Sequence, residues 1–396
     1  MTGCETEKSS EDSGINNNLN TGKNDHTKIV SSNNQLGFEL LSEVEEDDNG
    51  NTFISPTSLM MALSMVYNGA DGTTKKEMAK VLHADGIEVD DLNKANASLI
   101  SILQRDSKQI QLDIANSIWI NNQYHFTKEF AQNNQDYFFA KIQEIESPEI
   151  INNWVKEATE DKIDKIVDAP LNPDLVAILI NAIYFKGNWK YELAKEQTEQ
   201  RPFHLKDSTT KNVSLMKLTK KLPYLENKEF QAVSLPYGDD EMSMKVFLPK
   251  ENVQVDEFRK ILTHDNWKKW SSEFQEKEGT VLLPKFQLEY EILLNNALKK
   301  LGMTTAFDSA HANFKKMITE EEQLSIDMVK QKTFIDVNEE GTEAAAVTSA
   351  EMVTESFSPD GKFQMEVNRP FFFAITDEKT GTILFIGTIS NPQESQ

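Results

Sequence analysis

The apolar positions of this chain change period several times along its length, and each period predicts a different element. Leu36, Leu40, Leu41 and Val44 recur at helical spacing and predict an amphipathic helix. Ser55-Pro56 reads as a cap followed by proline at the first helical position, so a second helix should open there and close near Gly69. Ile151, Trp154, Val155 and Ala158, continued by Ile163 and Ile166, predict a third helix with one apolar stripe. Leu175 to Phe185 is a near-continuous apolar run broken by Asn181. Spanning a bilayer takes about 20 residues, so this run fits a central strand buried on both faces. Pro370 to Thr376 and Thr382 to Ile389 flank Asp377-Glu378-Lys379-Thr380-Gly381, which predicts a hairpin. From about Asn33 onward there is no linker rich in Pro, Gly or Ser and no fixed repeat. Helices early and sheets later therefore predict one α+β domain over 33–396. Residues 1–32 differ: they are polar, with Ile15, Leu19, Ile29 and Val30 scattered among Asn, Ser, Thr, Lys and acids. They predict a flexible tail, because such a stretch buries too little surface to offset its ordering entropy.

The run from Val337 to Ala350 follows a different pattern. From Thr342, one alternate face carries Thr342, Ala344, Ala346, Thr348, Ala350 and Met352, with no charge. The other carries Glu343, Ala345, Val347, Ser349, Glu351 and Val353. Alternation of this kind suits a strand with one buried and one wet face. Alanines and small polar residues make a poor permanent core strand, but they suit a loop that enters a tight slot later. Gly341, after Glu339 and Glu340, offers a permissive backbone position for the turn inward. An alanine-rich surface helix over Glu339 to Ala350 fits this window about as well, although Val347, Thr348, Val353 and Thr354 count against it.

The rest of the chain separates the two readings. Glu339-Glu340-Gly341-Thr342-Glu343-Ala344-Ala345-Ala346 resembles the hinge of inhibitory serpins. Phe53-Ile54-Ser55-Pro56-Thr57-Ser58 resembles that family's second-helix opening, and Asn181-Ala182-Ile183-Tyr184-Phe185-Lys186-Gly187-Asn188-Trp189 its strand-plus-breach motif. Asn368-Arg369-Pro370-Phe371 with Phe385-Ile386-Gly387 is similar to its C-terminal strands. The resemblance implies a serpin fold: a main mixed β-sheet, further sheets, surrounding helices and an exposed reactive-centre loop over about 339–362. It also implies a suicide substrate. A serine protease, or a cysteine protease, attacks the loop and forms an acyl-enzyme; the cut loop then inserts into the main sheet and traps the protease covalently.

Family spacing from the hinge puts the scissile bond at Glu355-Ser356, which suits a Glu-preferring protease. Cleavage after Met352, Val353 or Thr354 is the alternative, and an elastase-like pocket would accept Val353 or Thr354. The resemblance places Ser55, Ser58 and Asn181 in a polar cluster beneath the sheet, with Gln331 where serpins commonly have His. It places Trp189 where the loop first enters, and Trp154 on the helix lying across the sheet. A capping Ser or a core Trp is the ordinary alternative at these positions. A non-inhibitory member, acting as a binding or chaperone module, is the competing function. The small residues at Thr342 and Ala344 to Ala346 count against it.

Composition narrows the partners. Against 41 basic residues stand 64 acidic ones, a formal net charge of −23, and no long basic block appears. This opposes nucleic acid, and heparin-type activation with it. The six histidines lie far apart in sequence, and no nucleophile elbow, phosphate loop or metal-ligand spacing is present. The expectation is therefore no catalytic residue, no metal and no cofactor, in a monomeric inhibitor rather than an enzyme. The single cysteine, Cys4, allows no intrachain disulfide. Thr2-Gly3-Cys4 looks like the end of a bacterial lipoprotein signal whose leader is missing, which would point to a prokaryotic, extracellular or cell-envelope protein tethered through a lipid on Cys4. A free terminal thiol fits the same residues equally well.

Overall fold

The computed structural model describes residues 22, 24–105, 107–172, 175–238, 240–342 and 361–394. Their frame is two sheets. The main one is six-stranded and mixed. From one edge it runs Phe286–Leu293, Met328–Val337, Ala177–Asn188, Ile110–Asn121 and Lys141–Ile145. A two-residue strand, Gly341–Thr342, lies between the second and third at one end. Met328–Val337 runs parallel to Ala177–Asn188, in register from Met328 opposite Ile178 to Phe334 opposite Tyr184. The second sheet is nine-stranded and carries the C-terminal hairpin, Phe371–Asp377 paired with Ile383–Ile389. That hairpin matches the sequence reading.

Alternation sorts the main-sheet side chains into two cores. On Ile110–Asn121, Ile110, Leu112, Ile118 and Ile120 point into the principal core, while Trp119 points to the opposite face. On Ala177–Asn188, Leu179, Ile183 and Phe185 face the principal core, and Ile178, Ile180 and Ala182 face outward. The outward rows are buried too, because the Pro148–Ala158 helix lies over them with Ile151 and Val155 down and Trp154 edge-on to Trp119, ring centroids 6.1 Å apart. A strand covered on both faces reads as a continuous apolar run, which is why Leu175 to Phe185 looked as it did. The strand itself starts at Ala177.

Two boundaries differ from the sequence reading. The helix of Ile151 ends at Ala158: Glu160 and Asp161 both take left-handed backbone conformations that turn the chain back. Ile163 and Ile166 rejoin the same apolar cluster from outside the helix, so the stripe was real but the element was not continuous. At the N-terminus, the first helix spans Thr27–Glu43 and begins inside the stretch assigned to the tail. Ile29 is fully buried there, and Asn34 accepts from the Ile383 amide at 2.9 Å and donates to the Gly381 carbonyl at 2.8 Å. Burial of Ile29, and the docking of the same helix on the C-terminal hairpin through Asn34, outweigh the polar composition of residues 27–32.

Every residue of the Pro56–Tyr67 helix is buried. A helix apolar on all sides belongs inside a core, and this one runs beneath the main sheet. Ser55 caps it, its hydroxyl accepting from the Ser58 amide at 3.2 Å.

Candidate functional site

Three amide side chains interrupt the inward apolar rows at the same level: Asn116, Asn181 and Gln331. Asn181 lies directly opposite Asn116 on one neighbour and Gln331 on the other, so the three form a transverse row across adjacent strands. The row meets the capped end of the Pro56–Tyr67 helix. Asn181 Nδ2 donates to Ser58 Oγ and to Asn116 Oδ1, and Asn181 Oδ1 accepts from Gln331 Nε2. Gln331 also donates to the Ser55 carbonyl at 3.0 Å, and its Oε1 accepts from the Ser55 amide at 2.9 Å. Ser55 Oγ donates to the Leu384 carbonyl at 2.7 Å. Ser55, Ser58, Asn181 and Gln331 are all fully buried. Buried amides are costly unless paired, and here both hydrogens of each donating amide are used.

The structure thus brings together Ser55, Ser58, Asn181 and Gln331 from the sequence reading. It adds Asn116, which that reading missed. The signal was available: Asn116 breaks the alternate run Ile110, Leu112, Ile114, Asn116, Ile118, Ile120.

The second part of the site lies at the end of the same gap. Asn338 to Gly341 make a tight turn, with the Asn338 amide donating to the Gly341 carbonyl at 2.9 Å. The chain then re-enters the sheet as Gly341–Thr342. Thr342 pairs antiparallel with Val337 on one side and Gly187 on the other, and Gly341 pairs with Asn188. Gly341 adopts φ +153°, and a Cβ there would sit 2.1 Å from the Gly187 carbonyl oxygen, so only glycine fits. The loop expected to be exposed from 339 therefore starts buried: Thr342 is inaccessible and Glu339 nearly so.

The corner is held by neighbours on all sides. Trp189 donates its indole N–H to the Asn338 carbonyl at 2.9 Å and its backbone N–H to the Glu340 carbonyl at 3.0 Å, and the Leu193 amide donates to the Glu339 carbonyl at 3.0 Å. Glu339 is paired with Lys285 at 2.9 Å and accepts from Thr198 Oγ1 at 2.8 Å. Burial alone would raise its carboxyl; the bonds from Lys285, its own backbone N–H and Thr198 outweigh that and hold it below the usual carboxylate value. Glu340 pairs with the exposed Lys195 at 2.6 Å, a contact that water screens. Glu339, Glu340, Gly341 and Thr342 are thus placed. Cys4, Glu343, Ala344, Ala345, Ala346, Glu355 and Ser356 lie outside the described residues.

This arrangement is a gap between two parallel strands, sealed at mid-height by a hydrogen-bonded polar row and occupied at one end by two residues of the chain that follows. Comparison with known proteins identifies the family. Residues 31–392 match the family model described as serpin (serine protease inhibitor). Serpin B8 of Homo sapiens is 34% identical over 90% of this chain and 96% of its own, and the leukocyte elastase inhibitor of Equus caballus is 32% identical over 92% and 100%. The crystal structure of the thermophilic serpin tengpin in its native state superimposes with a TM-score of 0.86 at 35% identity, covering 92% of this chain and 94% of that one. The chain belongs to the serpin family.

Proposed function

We propose that this protein is a suicide-substrate inhibitor of a serine protease. The observation that carries the reading is the Gly341–Thr342 strand, already seated between Met328–Val337 and Ala177–Asn188. A segment continuing from Thr342 in the same direction would run antiparallel to both neighbours and add a full strand. The protease nucleophile attacks the Glu355 carbonyl carbon, the Glu355-Ser356 amide breaks, and Ser356 leaves with a free amine. Before water hydrolyses the remaining ester, residues from Glu343 onward follow Thr342 into the gap and carry the acylated protease with them.

For that to happen, the pairing from Met328 opposite Ile178 to Phe334 opposite Tyr184 must part, and with it the Gln331–Asn181 bond. The Pro148–Ala158 helix must ride over the change, since Ile151 and Val155 pack on the outward row of Ala177–Asn188.

Glu355 before the cut selects a protease pocket able to pair a carboxylate, hence a Glu-preferring enzyme. The relative named leukocyte elastase inhibitor supports an elastase-like enzyme cutting after Val353 or Thr354 as the second target class. Placement at a cell envelope through Cys4 belongs to the same reading and rests on Thr2-Gly3-Cys4 alone.

Incubation with a glutamyl endopeptidase and, separately, an elastase tests the proposal on denaturing gels. The expected result is a band at the summed mass and a released peptide that starts at Ser356. Clean cleavage without that band, by both enzymes, would favour the non-inhibitory binding module.

A further inference from the structure

Below the Gly341–Thr342 strand lies one buried phenol that neither the polar row nor the ion pairs use. Tyr237 ends the Phe230–Tyr237 strand of the second sheet and is fully buried. Its ring stacks face to face on Trp189, centroids 4.4 Å apart and 10° from parallel, and meets Phe185 edge-on at 5.2 Å. Backbone contacts fix its position: Trp189 and Tyr237 form an isolated bridge, and the Gly238 amide donates to the Asn188 carbonyl at 2.9 Å. Gly187 makes room for the ring, since a Cβ there would lie 2.8 Å from the Phe185 ring and 3.0 Å from Tyr237 Cδ1. Gly187 is also the residue directly opposite Thr342.

With the ring clamped in this way, Tyr237 Oη reaches Thr342 Oγ1 at 2.6 Å, the one hydrogen bond to that phenol among the described residues. Burial pushes the phenol above its ordinary value, so it remains protonated and able to donate. Were Thr342 to leave, the hydroxyl would stay behind, buried and unpartnered.

We propose that Tyr237 is a positioning residue: its hydroxyl forms a socket that reads a hydroxyl side chain at residue 342 and fixes the register in which the hinge enters the sheet. The inference rests on the inhibitory reading only in treating Thr342 as the first residue of the inserting segment. Register matters because side chains alternate, so a one-residue slip would turn Glu343 toward the core instead of Thr342. A partner that accepts Thr or Ser, and penalises Val of nearly the same shape, enforces that choice chemically.

Amide hydrogen exchange on the full, uncleaved chain tests the socket by reading residues 338–342. Thr342→Val and Tyr237→Phe should each speed exchange about fivefold, the effect of losing one buried hydrogen bond. Thr342→Ser should behave as wild type. The double variant Tyr237→Phe/Thr342→Val should be no faster than either single change, because both remove the same contact. Unchanged exchange in Tyr237→Phe, or additive increases in the double variant, would overturn the socket. In the inhibition assay, Tyr237→Phe should lower the yield of covalent complex per cleaved loop by a similar factor. An unchanged yield alongside faster exchange would overturn its role in steering insertion. If the wild type forms no covalent complex while the exchange pattern holds, the inhibitory reading fails and the socket stands.

Discussion

At mid-height, the gap between Met328–Val337 and Ala177–Asn188 is closed by direct strand pairing and by amides whose hydrogens are all committed: Asn181 to Asn116 and Ser58, Gln331 to Asn181 and Ser55. At its upper end the same strands are held apart by Gly341–Thr342, and the surrounding bonds run from Trp189, Leu193, Thr198, Lys285 and Tyr237 to the incoming chain itself. An entering strand would have to break the contacts at mid-height, whereas it can keep those at the top. In the proposed mechanism, resistance to insertion therefore belongs to the centre and register to the top. Saturated buried networks suit the first task, because a partly broken one leaves unpaired polar groups and opposes gradual opening. A clamped corner suits the second.

The sharpest break comes from charging the top. Thr342→Arg puts a guanidinium against the buried Tyr237 hydroxyl, and burying an unpaired charge is prohibitive. Covalent complex should vanish and the loop should be cleaved as an ordinary substrate, visible on a denaturing gel; complex at wild-type yield would sink the insertion mechanism. Next is the centre. Asn181→Ala strips partners from Ser58, Asn116 and Gln331 at once, so urea unfolding should show a loss of about 3 kcal/mol or more.

The Glu339 corner should respond to acid. Its folded carboxyl lies below its ordinary value of 4.5. The stability it contributes is thus fully present above that value and is lost as pH falls through the folded value. Glu339→Gln should flatten that acid limb of the thermal-melting profile and, near neutral pH, lower stability by about 1–2 kcal/mol by uncoupling Lys285. A wild-type acid limb in this variant would remove Glu339 from the corner's electrostatics. The smallest effect is expected from Gln331→His. A neutral imidazole offers one donor and one acceptor where Gln331 makes three bonds, so about 1 kcal/mol should be lost at neutral pH. Between pH 5 and 8 the variant should acquire a melting-temperature dependence that Gln331 itself cannot supply. If the variant's melting profile stayed parallel to wild type, the centre would not couple to that proton.

Much of this division can be read in the chain before it folds. Asn181 interrupts an apolar run and Asn116 an apolar alternation, and a polar residue at a core position announces a partner somewhere. Gly341 after two acids announces a turn. Local pattern could not name the partners, and only the family resemblance grouped Ser55, Ser58, Asn181 and Gln331, because the bonds span 65 residues from Asn116 to Asn181, 150 from Asn181 to Gln331 and 276 from Ser55 to Gln331. Tyr237 left no signal at all. Leu235-Pro236-Tyr237-Gly238 looks like any strand end, and its role exists only because Trp189, Gly187 and Thr342 converge on it.

Local pattern by itself determined the α+β class, the capped helix at Ser55-Pro56 and the doubly buried strand around Asn181, since each depends on period or propensity within a few residues. Tertiary structure alone decided that the first helix begins at Thr27 with Ile29 buried, that Ile163 and Ile166 reach their cluster without a helix, and that the chain at Gly341–Thr342 is buried between two strands. Those outcomes turn on burial against residues distant in sequence, and burial energy depends on which surfaces meet rather than on the local order in which they are written.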